Sequence, residues 1–248
     1  MKSFFAAIRF LTIVPVPERW CGGEAELRRS LVFFPVVGLL IGLLAAGAAW
    51  YGARLLPPAP LAVLLVILYL AVSGGLHMDG LADTADGFFS SRPRDRVLEI
   101  MHDSRSGPMA IIAIVCLLLL KVTALASFPA APPAWVLILI PVAGRCEMVI
   151  QLSSLPYARS SGGLATAFCQ PQRRWPATWA IGFLALAAWF LARQTGLAAA
   201  ALTLGITTIF SIWCYRKIGG FTGDTLGASC EIAEVIPPLV ALAAVRLG

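Results

Sequence analysis

Residues 74–107 read GGLHMDGLADTADGFFSSRPRDRVLEIMHDSRSG. The chain around them is 248 residues long, 59% hydrophobic and only 13% charged. Yet of its 13 acidic residues, Asp79, Asp83, Asp86, Asp95, Glu99 and Asp103 all fall in this window. Asp79, Asp83 and Asp86 are spaced i, i+4, i+7, which on a helix places them on one narrow face. The residues between them are small or apolar, and no Lys or Arg shares the face. Like charges one turn apart repel. A divalent cation removes that repulsion, and hard carboxylate oxygens suit Mg²⁺ or Mn²⁺. The window therefore predicts a helix with a metal-binding face.

Working outward, the mean hydropathy of +0.84 and the scarcity of charge exceed what a soluble domain carries, about 25% charged residues. The composition implies an all-α, polytopic integral membrane bundle forming one domain over 1–248, with no separate soluble part. Uncharged runs at 31–53, 55–76, 106–120, 122–144, 175–192, 194–215 and 235–247 predict about seven transmembrane helices. The last run needs Glu231 and Glu234 at its mouth to reach spanning length. Lys121 reads as the end of the third run. Residues 1–30 read as an uncleaved segment lying at the membrane interface: Arg9 interrupts the apolar run, Pro15 and Pro17 end it, and no small-residue cleavage site follows.

Positive charge gives a direction. Lys2, Arg9, Arg19, Arg28, Arg29, Arg92, Arg94, Arg96, Arg105, Arg159, Arg173, Arg174, Arg216 and Lys217 all fall on one side of the predicted topology. Arg54, Lys121, Arg193 and Arg246 fall on the other, and Arg145 within the fourth run. Positive loops stay in the cytoplasm, so the N-terminus and the Asp-rich segment 77–107 are expected there, in a multi-pass protein of the cell inner (cytoplasmic) membrane. The acids lie on that same side, Glu147 excepted. The six cysteines, Cys21, Cys116, Cys146, Cys169, Cys214 and Cys230, show no metal-ligand spacing and read as small buried hydrophobes.

A second acidic group, GGFTGDTLGASCEIAE at 219–234, carries Asp224, Glu231 and Glu234 among glycines that permit close approach of a ligand. Arg105 follows Asp103 in HDSRSG, and Arg159 precedes a Gly pair, Gly162 and Gly163. Arginine forks bind phosphate. Carboxylates, arginines and Gly-rich turns on one membrane face point to phosphoryl or pyrophosphate chemistry. The sequence holds no Walker A loop, no nucleophilic Ser elbow and no His-rich metal site; its only histidines are His77 and His102.

HMDGLADTADG (77–87), IMHDSRSG (100–107), LPYARSSGGL (155–164) and GGFTGDTLGASCEIAE (219–234) occur in one order and together resemble the cobalamin synthase family. The resemblance covers essentially the whole chain. It implies a Mg²⁺-dependent membrane enzyme that joins alpha-ribazole, or its 5'-phosphate, to adenosylcobinamide-GDP and releases GMP. On that reading Asp79, Asp83 and Asp86 bind metal, and Asp103, Arg105 and His77 are candidate catalytic groups. Arg159, Thr222, Gly223, Asp224, Glu231 and Glu234 contact substrate or a second metal. Corrinoid-GDP, ribazole and membrane lipid are the expected partners, nucleic acid is not, and a homo-oligomer stays open. A CDP-alcohol phosphotransferase would share the Asp cluster, but Asp79-Gly80 is not followed by the DGxxAR pattern. A prenyltransferase would use a polyprenyl diphosphate. A transporter would place its ionisable groups near the bilayer midplane and show internal repeats.

Overall fold

The computed structural model describes residues 1–103, 105–159, 168 and 174–247. Gly162, Gly163, Cys169 and Arg173 lie outside the described residues. The described residues are predominantly helical with no strands, and Tyr157 and Phe221 form an isolated parallel bridge. The N-terminal segment holds three short helices, α1 (Lys2–Leu11), α2 (Glu18–Cys21) and α3 (Glu24–Arg29). Then follow α4 (Phe34–Gly52), α5 (Pro58–Val72), α6 (Leu76–Phe88), α7 (Arg94–Ile100), α8 (Pro108–Ala126) and α9 (Ala134–Ser154). Trp175–Ile218 forms α10, and α11 (Gly223–Glu234) and α12 (Ile236–Leu247) complete the chain.

Among the described residues five helical segments are long and apolar enough to cross a bilayer: Glu24–Gly52, Pro108–Ala126, Ala134–Ser154, Trp175–Ile218 and Gly223–Arg246. Their outward residues, among them Leu43, Leu44, Ile111, Leu119, Phe190 and Ile209, are exposed apolar side chains of the kind that lipid covers. The expected seven separate spans are met differently at two places. The 55–76 run stops as a helix at Val72, and α5 reaches spanning length only by adding α6 across an 89° bend. The 175–192 and 194–215 runs fall on the two helices that make up the 44-residue stretch Trp175–Ile218, about 66 Å at 1.5 Å per residue and so twice a bilayer core. That segment breaks at Ala192 and Arg193, whose backbones leave the helical region. A Cβ on Gly196 would stand 2.1 Å from the Ala188 carbonyl oxygen. A straight helix would keep these residues two turns apart, so the chain reverses at the break.

The centre of the bundle is α9, almost wholly buried, with α4, α10 and α11 packed around it. Pro141 within α9 lacks the N–H that would bond the Leu137 carbonyl. The buried Tyr69 hydroxyl of α5 donates to that carbonyl at 2.8 Å, which satisfies an acceptor that lipid could not. Lys121 proves to lie inside α8 and is buried. It ends no helix and drops out of the charge tally. Cys21, Cys146, Cys214 and Cys230 are buried as expected, but Cys116 is exposed on the outer face of α8.

Candidate active site

The end of the bundle that carries the Asp-rich segment is built from helix termini and the turns joining them. Gly74 and Gly75 take φ of 63° and 74°, left-handed values that a side chain would strain. They turn the chain from α5 into α6. With only 13 residues, three of them Asp, α6 lies at this face, outside the five crossing segments. It packs backbone to backbone on α11. A Cβ on Gly80 would sit 2.7 Å from the Asp224 carbonyl oxygen, and one on Gly227 would sit 2.9 Å from that of His77. This contact sets the Asp79–Asp83 face beside the first turn of α11.

There Thr222 caps α11 reciprocally with Thr225: the Thr225 N–H donates to Thr222 Oγ1 at 3.3 Å, and the Thr222 N–H to Thr225 Oγ1 at 2.9 Å. Gly223 is exposed in the first turn. Asp224 Oδ2 accepts from Arg159 Nη2 at 2.8 Å and from the Thr222 hydroxyl at 3.2 Å. Arg159 is held over α11 because its strand runs alongside 219–222: the Ala158 N–H donates to Phe221 O at 2.8 Å, and the Phe221 N–H to Pro156 O at 2.9 Å. Arg94 fixes the same corner, donating to Ile218 O and Ala158 O, both at 2.7 Å. Arg159 Nη1 lies 3.2 Å from His102 Nδ1, and its buried Nε has no partner among the described residues.

Asp79 is exposed and Asp83 half-buried, and neither has a hydrogen bond or ion pair among the described residues. Burial, then Asp224, Asp79 and Asp86, push the Asp83 carboxyl up to about 7, with only Arg159 opposing. Asp79 borders an open cleft of about 780 Å³ walled by Leu70, Gly74, Gly75, Ala82 and Ser106.

The sequence profile described as Cobalamin-5-phosphate synthase matches residues 3–242. The chain belongs to that family. It is 43% identical over 248 residues to an adenosylcobinamide-GDP ribazoletransferase of Herpetosiphon aurantiacus, covering 99% of this chain and 98% of the relative. Two others with that name, from Acetivibrio thermocellus and Pseudomonas entomophila, are 39% and 40% identical. They cover 94% and 95% of this chain, and 94% and 96% of their own length. No solved structure matches.

In this member of the cobalamin-5-phosphate synthase family, the residues singled out from sequence divide into three groups. Asp79, Asp83, Asp224, Arg159, Thr222 and Gly223 come together at the mouth. Asp103 and Arg105 form an exposed pair at 2.6 Å on the adjoining loop, and this pairing holds the Asp103 carboxyl down at about 2. The remaining four take different places. Asp86 turns to α8 and accepts the N–H groups of Gly107 at 2.5 Å and Ala110 at 2.9 Å. A carboxylate at a helix N-terminus is stabilised there, so both its oxygens already serve the fold. His77 is buried where α6 crosses α11, with Nε2 unpartnered among the described residues. Glu231 and Glu234 are buried against Lys121. Sequence reasoning missed this use of Lys121 and the seat that His102 gives Arg159; no local pattern marks either.

Among the described residues no three His, Cys, Asp or Glu side chains stand close enough to enclose a metal ion. Two free carboxylates one turn apart, with Asp224 across from them, do fit Mg²⁺. That ion commonly takes one or two carboxylates and completes its shell with water and substrate phosphate.

Proposed function

We propose that the chain joins alpha-ribazole, or its 5'-phosphate, to adenosylcobinamide-GDP, giving adenosylcobalamin or its 5'-phosphate and GMP. The observation that carries this reading is the pair of unpartnered carboxylates, Asp79 and Asp83, beside the Asp224–Arg159 pair, in a chain of this family. A ribose hydroxyl of ribazole attacks the phosphorus nearer cobinamide. The new P–O bond forms as the bond to GMP breaks, and the hydroxyl proton passes to a carboxylate of the mouth. Negative charge spreads over the phosphoryl oxygens and the departing GMP.

Arg159 offers its guanidinium, shared with Asp224, to a phosphate, and Arg105, on the exposed loop, a second guanidinium. Asp103 stays ionised beside Arg105 and orients it. Asp79 and Asp83 would hold Mg²⁺, which when bound supplies charge neutralisation at the diphosphate. The open cleft beside Asp79 is of the size that takes a nucleoside-sized group. The site opens to the cytoplasm through the inner membrane's positive-inside face.

The test is GMP release by the detergent-purified protein from adenosylcobinamide-GDP and ribazole. Turnover should vanish with EDTA and return with Mg²⁺, and Mn²⁺ binding should be visible as loss of the free-ion paramagnetic signal. Release only from a CDP-alcohol or a polyprenyl diphosphate contradicts the reading. For orientation, an impermeant thiol reagent outside intact cells should label Ala130→Cys and miss Arg92→Cys; the reverse pattern inverts the topology.

A further inference from the structure

Below the mouth, Lys121 of α8 reaches into the bundle. Its ammonium donates to Glu231 Oε2 at 2.5 Å and to Glu234 Oε2 at 2.7 Å. Arg145 of α9 donates to the other oxygen of Glu234 and lies 3.7 Å from Cys230 Sγ. Two cations thus face two carboxylates, all at most 6% exposed.

The placement of these charges matters more than their number. Glu231 follows Asp224 by seven residues, two turns along α11 and on the same face. α8 packs on α5, α6 and α12, and meets α11 chiefly through the Lys121 side chain. The top of α8 is held to α6 by Asp86. Lys121 therefore closes a frame of three helices: α6 to α8 through Asp86, α8 to α11 through Lys121, and α11 to α6 through the Gly80 and Gly227 crossing. In lipid, apolar contacts alone select poorly among rotations and heights of a helix, whereas buried polar pairs specify them.

We propose that Lys121 is a positioning residue for the transfer reaction. By fixing Glu231 it sets the height and rotation of α11, and so places Asp224 and Arg159 opposite Asp79 and Asp83. This rests on the reading given under Proposed function.

Three variants test it. The neutral pair Lys121→Met with Glu231→Gln removes the tie and leaves Arg145 balanced by Glu234. The swap Lys121→Glu with Glu231→Lys keeps a tie of reversed polarity. Lys121→Arg keeps the charge. Each is melted in detergent, titrated with Mn²⁺ by the free-ion signal, and assayed for GMP release. The neutral pair should melt close to wild type, yet bind Mn²⁺ and turn over about tenfold more weakly, the size of effect that sub-ångström misplacement produces. The fall should lie in kcat more than in KM, and the swap and Lys121→Arg should recover most of it. A neutral pair indistinguishable from wild type, or a swap no better than the neutral pair at equal melting, overturns the proposal. If the neutral pair is not recovered folded, the swap decides: wild-type Mn²⁺ binding supports positioning, and a tenfold loss at wild-type melting refutes it. Absence of GMP release by the wild type would instead refute the reaction, while Mn²⁺ binding still tests Lys121.

Discussion

Two groups of charges lie along the α6–α11 pair, and they are arranged oppositely. At the mouth, Asp79 and Asp83 have no partner among the described residues, and Asp224 has one charged partner among them, Arg159. Two turns deeper, Glu231 and Glu234 are buried and matched by Lys121 and Arg145. Deep in a low-dielectric bundle an unmatched carboxylate is too costly to keep, so the inner group is balanced. The mouth tolerates an excess of negative charge because water reaches it, and that excess is what a cation and a diphosphate would use. The difference teaches that acids in this chain cannot be read as one class. Balance marks those that hold the fold, and imbalance marks those proposed to meet substrate.

The comparison breaks most visibly at Glu234, which serves both cations. Glu234→Gln leaves two buried cations with one carboxylate and should cost about 3–5 kcal/mol of stability, read by chemical denaturation in detergent. A loss below about 1 kcal/mol would mean that the inner group is hydrated after all. Asp86 sharpens the boundary between the two groups. As a cross-helix cap, Asp86→Ala should lower stability by about 1 kcal/mol and leave Mn²⁺ binding within a few fold; a collapse of Mn²⁺ binding at unchanged melting would return Asp86 to the metal set. A smaller effect comes from pH. Asp83 binds its proton more tightly in the folded chain than at its ordinary value of 3.8, with a folded value of about 7. The folded state therefore holds the extra proton, and metal-free protein should lose stability as pH rises from about 4 to about 7. Mg²⁺ should abolish that slope, since it takes the place of the proton. A metal-free melting temperature flat over that range would remove the crowding argument.

Much of the mouth was legible in the sequence because its signal is local. The i, i+4, i+7 spacing of Asp79, Asp83 and Asp86 falls on α6 as expected, and Thr222, Gly223 and Asp224 open a helix. What was not legible depends on distant partners. Lys121 looked like a helix end because a charge in an apolar run has no local explanation. Its explanation lies more than a hundred residues away, in Glu231 and Glu234. Asp86 shares a helical face with Asp79 and Asp83, but one further turn brings it under the N-terminus of α8. The 89° bend after α5 likewise follows from backbone geometry that hydropathy does not record, whereas the break at Ala192–Arg193 falls where the charge of Arg193 separates the 175–192 and 194–215 runs.

The central claim, that the unpartnered carboxylates perform the transfer, is tested most directly by GMP release from two matched variants. Asp83→Asn keeps size and removes charge from the mouth. Asp95→Asn removes an exposed charge from α7, outside the mouth. Asp83→Asn should melt at or slightly above wild type, because it relieves repulsion, and should lose on the order of 10²-fold in turnover at saturating Mg²⁺. Asp95→Asn should match wild type in both. Near wild-type turnover in Asp83→Asn together with an inactive Asp95→Asn would contradict the account and move the site to the arginine-rich half of the segment.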